Sequence, residues 1–227
     1  MTNHQVLDIP IANRAVAGRA LAHLLQDYRA RTDTLVLALP RGGVPVAYEI
    51  AETLHVPLDL LLVRKLGVPG YAELAMGAIA SGGVQVFNPQ VLQLHRIDQA
   101  CIDSVAAREY RELQRREQAY RGTRPAPKIA GQQVILVDDG VATGATMQAA
   151  VLAVRKQAPA RILIAIPVAA TDSLDALRPL VDEIVCPCRP EMLFAIGRWY
   201  LDFSQVSDEQ VCTLLQRAWL REDQDRR

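Results

Sequence analysis

Short apolar runs alternate along this chain with longer segments in which apolar residues recur at helical spacing. The short runs predict buried strands, and the periodic segments predict amphipathic helices. The predicted strands cover residues 34–40, 58–66, 134–137, 161–170 and 183–186. The predicted helices cover residues 15–28, 44–54, 97–121, 144–157, 171–177 and 207–220. Strands that are apolar throughout and alternate with helices indicate an α/β domain, with a mostly parallel sheet covered on both faces.

Turn and capping residues define two further segments. Residues 67–83 hold five glycines and one proline, which predicts a mobile loop containing a small hairpin. Ser207 and Gln210 have the spacing of a capping box, so we place the start of the last helix there. After about Arg221 the chain is strongly charged, and we expect it to be disordered.

Composition and charge narrow the possible classes of function. The chain has 227 residues, half of them hydrophobic, which is enough for one substantial core with a small appended lobe. Lys and Arg together number 25, as do Asp and Glu, so the net charge favours neither nucleic acid nor a membrane as a partner. Residues 1–10 lack the pattern of a signal peptide, and four cysteines make no disulfide framework, so we expect a cytoplasmic protein.

The segment after the strand at residues 134–137 carries the most specific chemistry. Asp138 and Asp139 follow this strand, and small or hydroxylated residues lead from them into a helix. In parallel sheets, ligands bind beyond the carboxyl ends of the strands. Two carboxylates suit the hydroxyls of a vicinal diol, while Thr143, Thr146 and the helix N-terminus suit a phosphate. The combination predicts a ribose 5-phosphate site; the alternative is an acidic strand end followed by an ordinary helix cap.

Two other segments are weaker candidates. In Pro40-Arg41-Gly42-Gly43 the glycines let backbone N–H groups approach an anion, and the arginine can donate to phosphate oxygens. Arg64 and Lys65 lie at the end of the second predicted strand, where two cations are suited to a polyphosphate. Taken alone, each segment is explained better by a plain turn or by solvated charges.

Two of these segments carry a family resemblance. The stretch VILVDDGVATGATM resembles the phosphoribosyl-diphosphate signature of type I phosphoribosyltransferases, and LALPRGG resembles their pyrophosphate loop. The resemblance extends from about Thr34 to Phe203, and LPRGGVPVA and ELAMGAIA are similar to stretches in a group of largely unassigned members. It implies the type I fold as a single domain over residues 1–227. The α/β core would lie at about 34–188, and a small hood would come from about 1–33 and 189–221.

The resemblance implies a role for each matching residue of the signature. Asp138 and Asp139 would hold the ribose hydroxyls, directly or through Mg²⁺. The rest of the substrate-binding segment is Gly140, Val141, Ala142, Thr143, Gly144, Ala145 and Thr146, of which the last five would hold the 5-phosphate. Arg41, Gly42 and Gly43 would bind the pyrophosphate.

Catalysis in this interpretation involves four of these side chains. Lys65 would neutralise charge on the leaving group, and with Arg41, Asp138 and Asp139 it completes the predicted catalytic set. Residues 67–83 would be the loop that closes over the site, because the reacting sugar must be kept from water.

The end of the chain resembles the base-binding hood of hypoxanthine-guanine phosphoribosyltransferases. There a ring stacks on the purine and an acid helps to orient base or metal, and Phe194 and Asp202 match those positions, although the spacer is a residue longer. Those enzymes carry a lysine for the purine 6-oxygen where this chain has residues 167–170, PVAA, so a 6-oxopurine acceptor is not favoured. Core filling by Phe194, Trp199 and Phe203 is the alternative.

Two functions of different class are compatible with these residues. The first is an enzyme that uses 5-phosphoribosyl 1-diphosphate and Mg²⁺ to transfer ribose 5-phosphate to a nitrogenous base, releasing pyrophosphate in nucleotide salvage. The second is a regulatory sensor that binds a nucleotide or the sugar diphosphate without turnover. We favour the enzyme because Arg41 and Lys65 suit a pyrophosphate leaving group and the neutral chain presents no DNA-binding surface. The resemblance also implies a homodimer.

Overall fold

The computed structural model describes residues 7–225, without the side chains of Ala72 and Glu73. Its strands are β1 Thr34–Ala38, β2 Leu58–Leu60, β3 Val63–Val68, β4 Tyr71–Ala80, β5 Val84–Phe87, β6 Gln133–Val137, β7 Arg161–Ala165 and β8 Glu183–Val185. Its α-helices are α1 Arg14–Leu24, α2 Gly43–Leu54, α3 Pro89–Leu94, α4 Gln99–Arg121, α5 Ala145–Arg155, α6 Thr171–Leu177 and α7 Asp208–Asp225. Residues 1–6, part of the segment 1–10 in which the sequence shows no signal-peptide pattern, lie outside the described residues.

The central sheet has five parallel strands in the order β2-β1-β6-β7-β8. Side chains of successive strand residues point to opposite faces, so Val36 packs with α2 while its neighbour Leu35 packs with α5. Helices α2 and α7 cover one face and α5 and α6 cover the other, while α4 packs mainly on β3 and β4. The predicted α/β fold with a mostly parallel sheet is confirmed.

A separate antiparallel sheet replaces part of the predicted pattern. The single strand predicted at residues 58–66 is wrong, because the chain leaves the central sheet after β2 and enters a second sheet, β3-β4-β5, at Val63. The apolar run is continuous because both sheets bury it; Leu61 and Leu62, which connect them, are almost fully buried.

The small hairpin predicted within residues 67–83 is confirmed by the antiparallel pairing of β3 with β4, but the loop predicted around it is wrong over most of its length. Residues 71–80 form β4, in which Met76 and Ile79 are fully buried. Gly77 lies so close to β5 that a Cβ there would be 2.4 Å from the Val86 carbonyl oxygen. Gly77 therefore allows β4 and β5 to pack closely. A count of glycines predicts a loop because it does not distinguish a glycine of this kind from one in a turn.

The last helix starts where the capping box places it and ends later than predicted. Ser207 Oγ accepts from the Gln210 N–H at 3.1 Å, and Gln210 Oε1 accepts from the Ser207 N–H at 2.9 Å. The helix continues to Asp225, so the disorder predicted after about Arg221 is wrong for residues 222–225, and residues 226–227 lie outside the described residues. The physical reason is Glu222, which is buried and accepts from the Leu58 N–H at 2.9 Å. Helix α7, which the sequence assigned to the hood, packs against α2, α4 and β2.

The N-terminal segment and the chain after β8 form a small layer beside the sheet. Ile11 N–H donates to the Trp199 carbonyl at 2.7 Å, and Leu201 N–H donates to the Ile11 carbonyl at the same distance. Ile11 and Tyr200 are buried with Val168 in a cluster separate from the two large ones. We call residues 189–206 the hood segment below.

None of the helices in residues 7–225 combines the length and the hydrophobicity needed to cross a membrane.

Candidate active site

The site lies where the two central strands β1 and β6 end side by side. Both strands run in the same direction in full register, Ala38 opposite Val137. The Leu39 N–H donates to the Val137 carbonyl at 2.9 Å, which continues the pairing one residue past the strand end. The segments 40–43 and 138–144 therefore leave the sheet as neighbours, although a long stretch of sequence separates them.

The contact between these two segments is as close as a backbone allows. A Cβ on Gly42 would be 2.0 Å from Asp139 Oδ2, and one on Gly43 would be 2.6 Å from the Val137 carbonyl oxygen. Real Cβ atoms do not approach other atoms that closely, so both positions require glycine. The Arg-Gly-Gly sequence thus brings the chain of the first segment against the two carboxylates of the second. The peptide bond between Pro40 and Arg41 is cis.

The two carboxylates differ in their surroundings. Asp138 is partly exposed, and its Oδ1 accepts from the Asp139 N–H at 2.9 Å. Asp139 is buried, and its Oδ2 accepts from Arg14 Nε at 2.7 Å. Burial raises the pKa of Asp138 well above its ordinary value, and the charge of Asp139 raises it further. Burial also raises the pKa of Asp139, against the opposing effect of Arg14.

The loop between β6 and α5 is fixed by hydrogen bonds on the side that faces the protein and is exposed on the other side. The Val141 N–H donates to the Val168 carbonyl at 3.0 Å, and Ser173 Oγ donates to the Ala142 carbonyl at 2.5 Å. In front, Thr143 and Thr146 are exposed. The first N–H groups of α5 have no intrahelical partners, so they and these hydroxyls offer donors to an anion.

Arg41 lies beside the start of α7, at the edge of the region beyond the ends of β1 and β6, which we call the cleft. Its Nη1 is 3.7 Å from Asp208 Oδ1 at the start of α7, and the Tyr120 hydroxyl donates to the same oxygen at 2.6 Å. Arg41 remains 37% exposed, so a ligand in the cleft can compete with Asp208 for its guanidinium group.

The side chains of Arg64 and Lys65 diverge on β3. Arg64 donates to Glu109 on α4 at 2.9 Å, which gives it a structural contact. Lys65 is exposed and lines a cavity of about 300 Å³ between the second sheet and α5, together with Thr146. Of the two cations, only Lys65 lies on the side of the predicted phosphate loop.

The hood segment places its two predicted residues differently. Phe194 is 71% exposed, and the Arg198 guanidinium carbon lies 5.5 Å from its ring centroid. Asp202 is exposed, accepts from the Ser204 N–H at 2.9 Å and lines a cavity of about 500 Å³ with Arg14. Ile196 covers the acidic segment: a Cβ on Gly140 would be 2.6 Å from its Cγ2.

Sequence reasoning missed two residues of this site. Arg14, at the start of α1, binds the side chain of Asp139, and the Tyr200 hydroxyl donates to the Asp139 carbonyl at 2.7 Å. Burial raises the pKa of Tyr200, which keeps that hydroxyl a donor. Neither residue stands in a motif, and Arg14 is 125 positions from its partner. The sequence gives one indication of the position of Arg14: Asn13 is a favourable N-cap residue, which places Arg14 first in the helix.

Comparison with known proteins decides the family. The model of the phosphoribosyl transferase domain matches residues 2–188. The chain belongs to the phosphoribosyltransferase family. The resemblance read from the 134–147 and 37–43 stretches is thereby confirmed, and the domain supports a transferase.

Two curated proteins and one solved structure are similar to most of the chain. Two Mycobacterium tuberculosis proteins, from strains CDC 1551 and H37Rv, are each named "putative phosphoribosyl transferase" and are 42% identical over 206 residues. These cover 91% of this chain but 46% of each relative, so the chain spans about half the length of the curated relatives it matches. The crystal structure of TT1426 from Thermus thermophilus is 41% identical, with a TM-score of 0.82, covering 90% of this chain and 97% of that one.

The carboxylates of the candidate site can be tested for their fit to magnesium. Within residues 7–225 no group of three or more His, Cys, Asp or Glu side chains could hold a metal ion by itself. Mg²⁺ binds through one or two carboxylates together with waters and substrate phosphates, so it needs no larger protein cage. Asp138 and Asp139 therefore fit Mg²⁺ as part of a substrate complex, with one oxygen of Asp139 already bound to Arg14.

Proposed function

We propose that this protein is an enzyme that transfers ribose 5-phosphate from 5-phosphoribosyl 1-diphosphate to a nitrogenous acceptor and releases pyrophosphate. In this reaction the bond from the anomeric carbon to the pyrophosphate oxygen breaks. A bond from the acceptor nitrogen to that carbon forms on the opposite face.

The contact of Gly42 with Asp139 carries the proposal. A sugar diphosphate presents its hydroxyls and its pyrophosphate on adjacent atoms, so a site for it needs diol acceptors and pyrophosphate donors side by side. The close packing at Gly42 supports that arrangement: a Cβ there would be 2.0 Å from Asp139 Oδ2, so the backbone of the predicted pyrophosphate loop lies against the carboxylate that would accept from the ribose.

The remaining groups divide into a phosphate end and a leaving-group end. Exposed Thr143 and Thr146 with the first N–H groups of α5 would bind the 5-phosphate. Arg41, next to Gly42 and Gly43, would bind the pyrophosphate, and Lys65, which lines one cavity with Thr146, would reach the substrate from the side of the 5-phosphate. Donors fixed before the reaction lower the barrier by positioning and by electrostatic stabilisation.

Magnesium and the acceptor complete the proposed reaction. Mg²⁺, held by Asp138 and Asp139 together with substrate oxygens, would stabilise negative charge on the departing pyrophosphate. Phe194 is exposed on the hood segment and offers a face to a planar base, and Asp202 lies farther along the same segment. The homodimer and the cytoplasmic location expected from the sequence stay predictions.

The test is calorimetric titration with 5-phosphoribosyl 1-diphosphate in the presence of Mg²⁺, followed by a pyrophosphate-release screen over purines, pyrimidines and other amines. We expect the protein to bind the sugar diphosphate and to release pyrophosphate with one class of acceptor. The matched control is the double variant Asp138→Asn with Asp139→Asn, which preserves shape and removes the charges. We expect it to fold and to bind at least about tenfold more weakly, because a charge-assisted hydrogen bond contributes about 1.5–3 kcal/mol.

Each outcome of this test has a defined meaning. Unchanged affinity in the double variant would contradict the ribose assignment. Binding without release from any acceptor would favour the sensor over the enzyme. A protein that binds neither 5-phosphoribosyl 1-diphosphate nor ribose 5-phosphate would overturn the proposal as a whole.

A further inference from the structure

Arg14 makes three contacts that together fix its guanidinium group. Nε donates to Asp139 Oδ2 at 2.7 Å and Nη1 donates to the Ser204 carbonyl at 2.8 Å. The guanidinium carbon lies 3.9 Å from the centroid of the Phe203 ring. A planar group with donors on its edge and a ring on its face has little freedom to rotate.

The burial of this ion pair separates it from those at the surface. The Arg14 and Asp139 side chains are each 11% exposed. Of the ion pairs within residues 7–225, only Arg121–Asp59 buries both partners more fully. Buried pairs are weakly screened, and removing one partner leaves an uncompensated charge. Because Arg121–Asp59 lies at β2 rather than at the cleft, Arg14–Asp139 is the buried pair of the site.

Asp139 is held on three sides by residues from different parts of the chain. Arg14 binds one carboxylate oxygen, the Tyr200 hydroxyl binds the carbonyl, and the backbone of Gly42 closes against the carboxylate. Two of these three residues come from the layer formed by the N-terminal segment and the hood segment. The orientation of Asp139 is therefore set by that layer rather than by β6 alone.

We propose that Arg14 is a positioning residue for ribose binding, which acts through Asp139 and leaves Asp138 as the carboxylate that a metal ion reaches. This inference rests on the proposed function. Arg14 donates to Oδ2 of Asp139 and so fixes the orientation of the carboxylate that would accept from one ribose hydroxyl. It also cancels one of the two adjacent negative charges, so that the acidic pair and Arg14 together carry a net charge of about −1 when both carboxyls are ionised.

This arrangement predicts that the removal of Arg14 weakens the binding of one ligand and not of another. Arg14→Met keeps an apolar stem that packs on Phe203 and removes the donors. Ribose 5-phosphate should bind about tenfold more weakly, because Asp139 loses its orientation. Mg²⁺ alone should bind as tightly as before or more tightly, because a positive charge has left the site. A general collapse of the site would weaken both ligands.

The experiment is a double-mutant cycle read by calorimetry with ribose 5-phosphate, and in parallel with MgCl₂. The variants are Arg14→Met, Asp139→Asn, the two together, and Arg14→Lys. The matched control is Arg19→Met on the same helix, which removes an arginine whose ion pair with Glu49 is at the surface. If Arg14 acts through Asp139, its removal should cost nothing further in the Asp139→Asn background.

Arg14→Lys tests the geometry separately from the charge. A lysine keeps the positive charge but has no planar group to bind Asp139 and Ser204 while stacking on Phe203. We therefore expect it to restore only part of the ribose 5-phosphate affinity.

The outcomes distinguish this inference from the proposed function on which it rests. If the wild-type protein binds neither ribose 5-phosphate nor the sugar diphosphate, the proposed function fails and the role of Arg14 fails with it. If the wild type binds and Arg14→Met matches Arg19→Met, only the positioning role is overturned. Additive losses in the cycle, or a parallel loss of Mg²⁺ binding, would overturn it as well.

Discussion

At the scale of single residues, Asp138 combines features that stability alone would not select. It lies next to a second carboxylate, and both burial and that neighbour raise its pKa well above the ordinary value. Arg14 relieves the charge of Asp139 by donating from Nε to its carboxylate, while Nη1 donates to the Ser204 carbonyl. An ionised carboxyl held in this way destabilises the folded protein, so its cost is explained by a ligand that needs it.

Replacing Asp138 by Asn should therefore stabilise the protein while removing a ligand contact. A carboxyl whose pKa is raised on folding destabilises the folded state once the pH exceeds its unfolded value, and the cost grows until the pH passes the folded pKa. At pH 7 we expect Asp138→Asn to raise the melting temperature by about 2–4 °C, and the difference should shrink as the pH is lowered toward about 4. Thermal unfolding at both pH values measures this.

The control for this prediction is Asp202→Asn, because the pKa of Asp202 is shifted in the opposite direction from that of Asp138. The Ser204 N–H lowers the pKa of Asp202, so its ionised form favours the folded state and Asn should not raise the melting temperature. A lower melting temperature for Asp138→Asn at pH 7 would mean that Asp138 stabilises the protein after all.

At the scale of elements, the sequence predicts what is local and misses what depends on packing. The strand and loop at residues 134–144 were predicted because apolar residues, acids and hydroxyls follow one another in the chain. The division of residues 58–66 between two sheets was not, because β2 and β3 are joined by buried residues and give one nearly uninterrupted apolar run. Gly77 contributed to the wrong loop prediction for a similar reason: the sequence does not distinguish a glycine required for close strand packing from a glycine in a loop.

The segment of residues 40–43 gives a prediction about one half of the proposed substrate. Arg41 contacts Asp208 at the start of α7, whereas the threonines that would hold the 5-phosphate belong to the segment that leads into α5. Arg41→Ala should weaken binding of 5-phosphoribosyl 1-diphosphate about tenfold, because one charge-assisted contact to pyrophosphate is lost. The affinity for ribose 5-phosphate should change less than about twofold. Calorimetry with the two ligands separates the effects.

Asp208→Asn is the matched control for Arg41, because it removes the partner that competes with the ligand at 3.7 Å. We expect this variant to bind the sugar diphosphate at least as tightly as the wild type. Equal losses for both ligands in Arg41→Ala would contradict the role assigned to residues 40–43.

At the scale of the whole molecule, distant segments decide what the motifs can do. The layer containing Ile11 and Tyr200 joins residues from the two ends of the chain, and it supplies the contacts that hold Asp139. The spacing of apolar residues predicts helix α1, but it contains no information about which distant carboxylate Arg14 binds. Similarly, α7 packs on the central sheet through Trp219, whose Nε1 donates to the Leu58 carbonyl at 2.9 Å. Such pairings arise from the topology of the fold, so a single sequence could not predict them.

The connection between the two sheets depends on a second buried ion pair. Arg121, at the end of α4, donates to Asp59 on β2 at 2.8 Å and to the Leu60 carbonyl at 3.2 Å. Both side chains are at most 7% exposed. The strand that carries Asp59 leads directly into β3 and Lys65, so the pair anchors the point at which the chain crosses from one sheet to the other.

Arg121→Met should therefore destabilise the protein far more than loss of a surface pair. Removing one partner of a buried ion pair costs about 3–5 kcal/mol, since the remaining charge is buried without compensation. Arg115→Met, which removes an exposed arginine paired with Glu112 on the same helix, should cost less than about 1 kcal/mol. Adding Asp59→Asn to Arg121→Met should recover part of the loss, because the uncompensated charge is then gone. Urea unfolding of the wild type and these three variants measures the free energies of unfolding.

Equal losses of stability in Arg121→Met and Arg115→Met would show that the ion pair is not what holds α4 to β2. Apolar packing around Leu113 would then be the cause of their association.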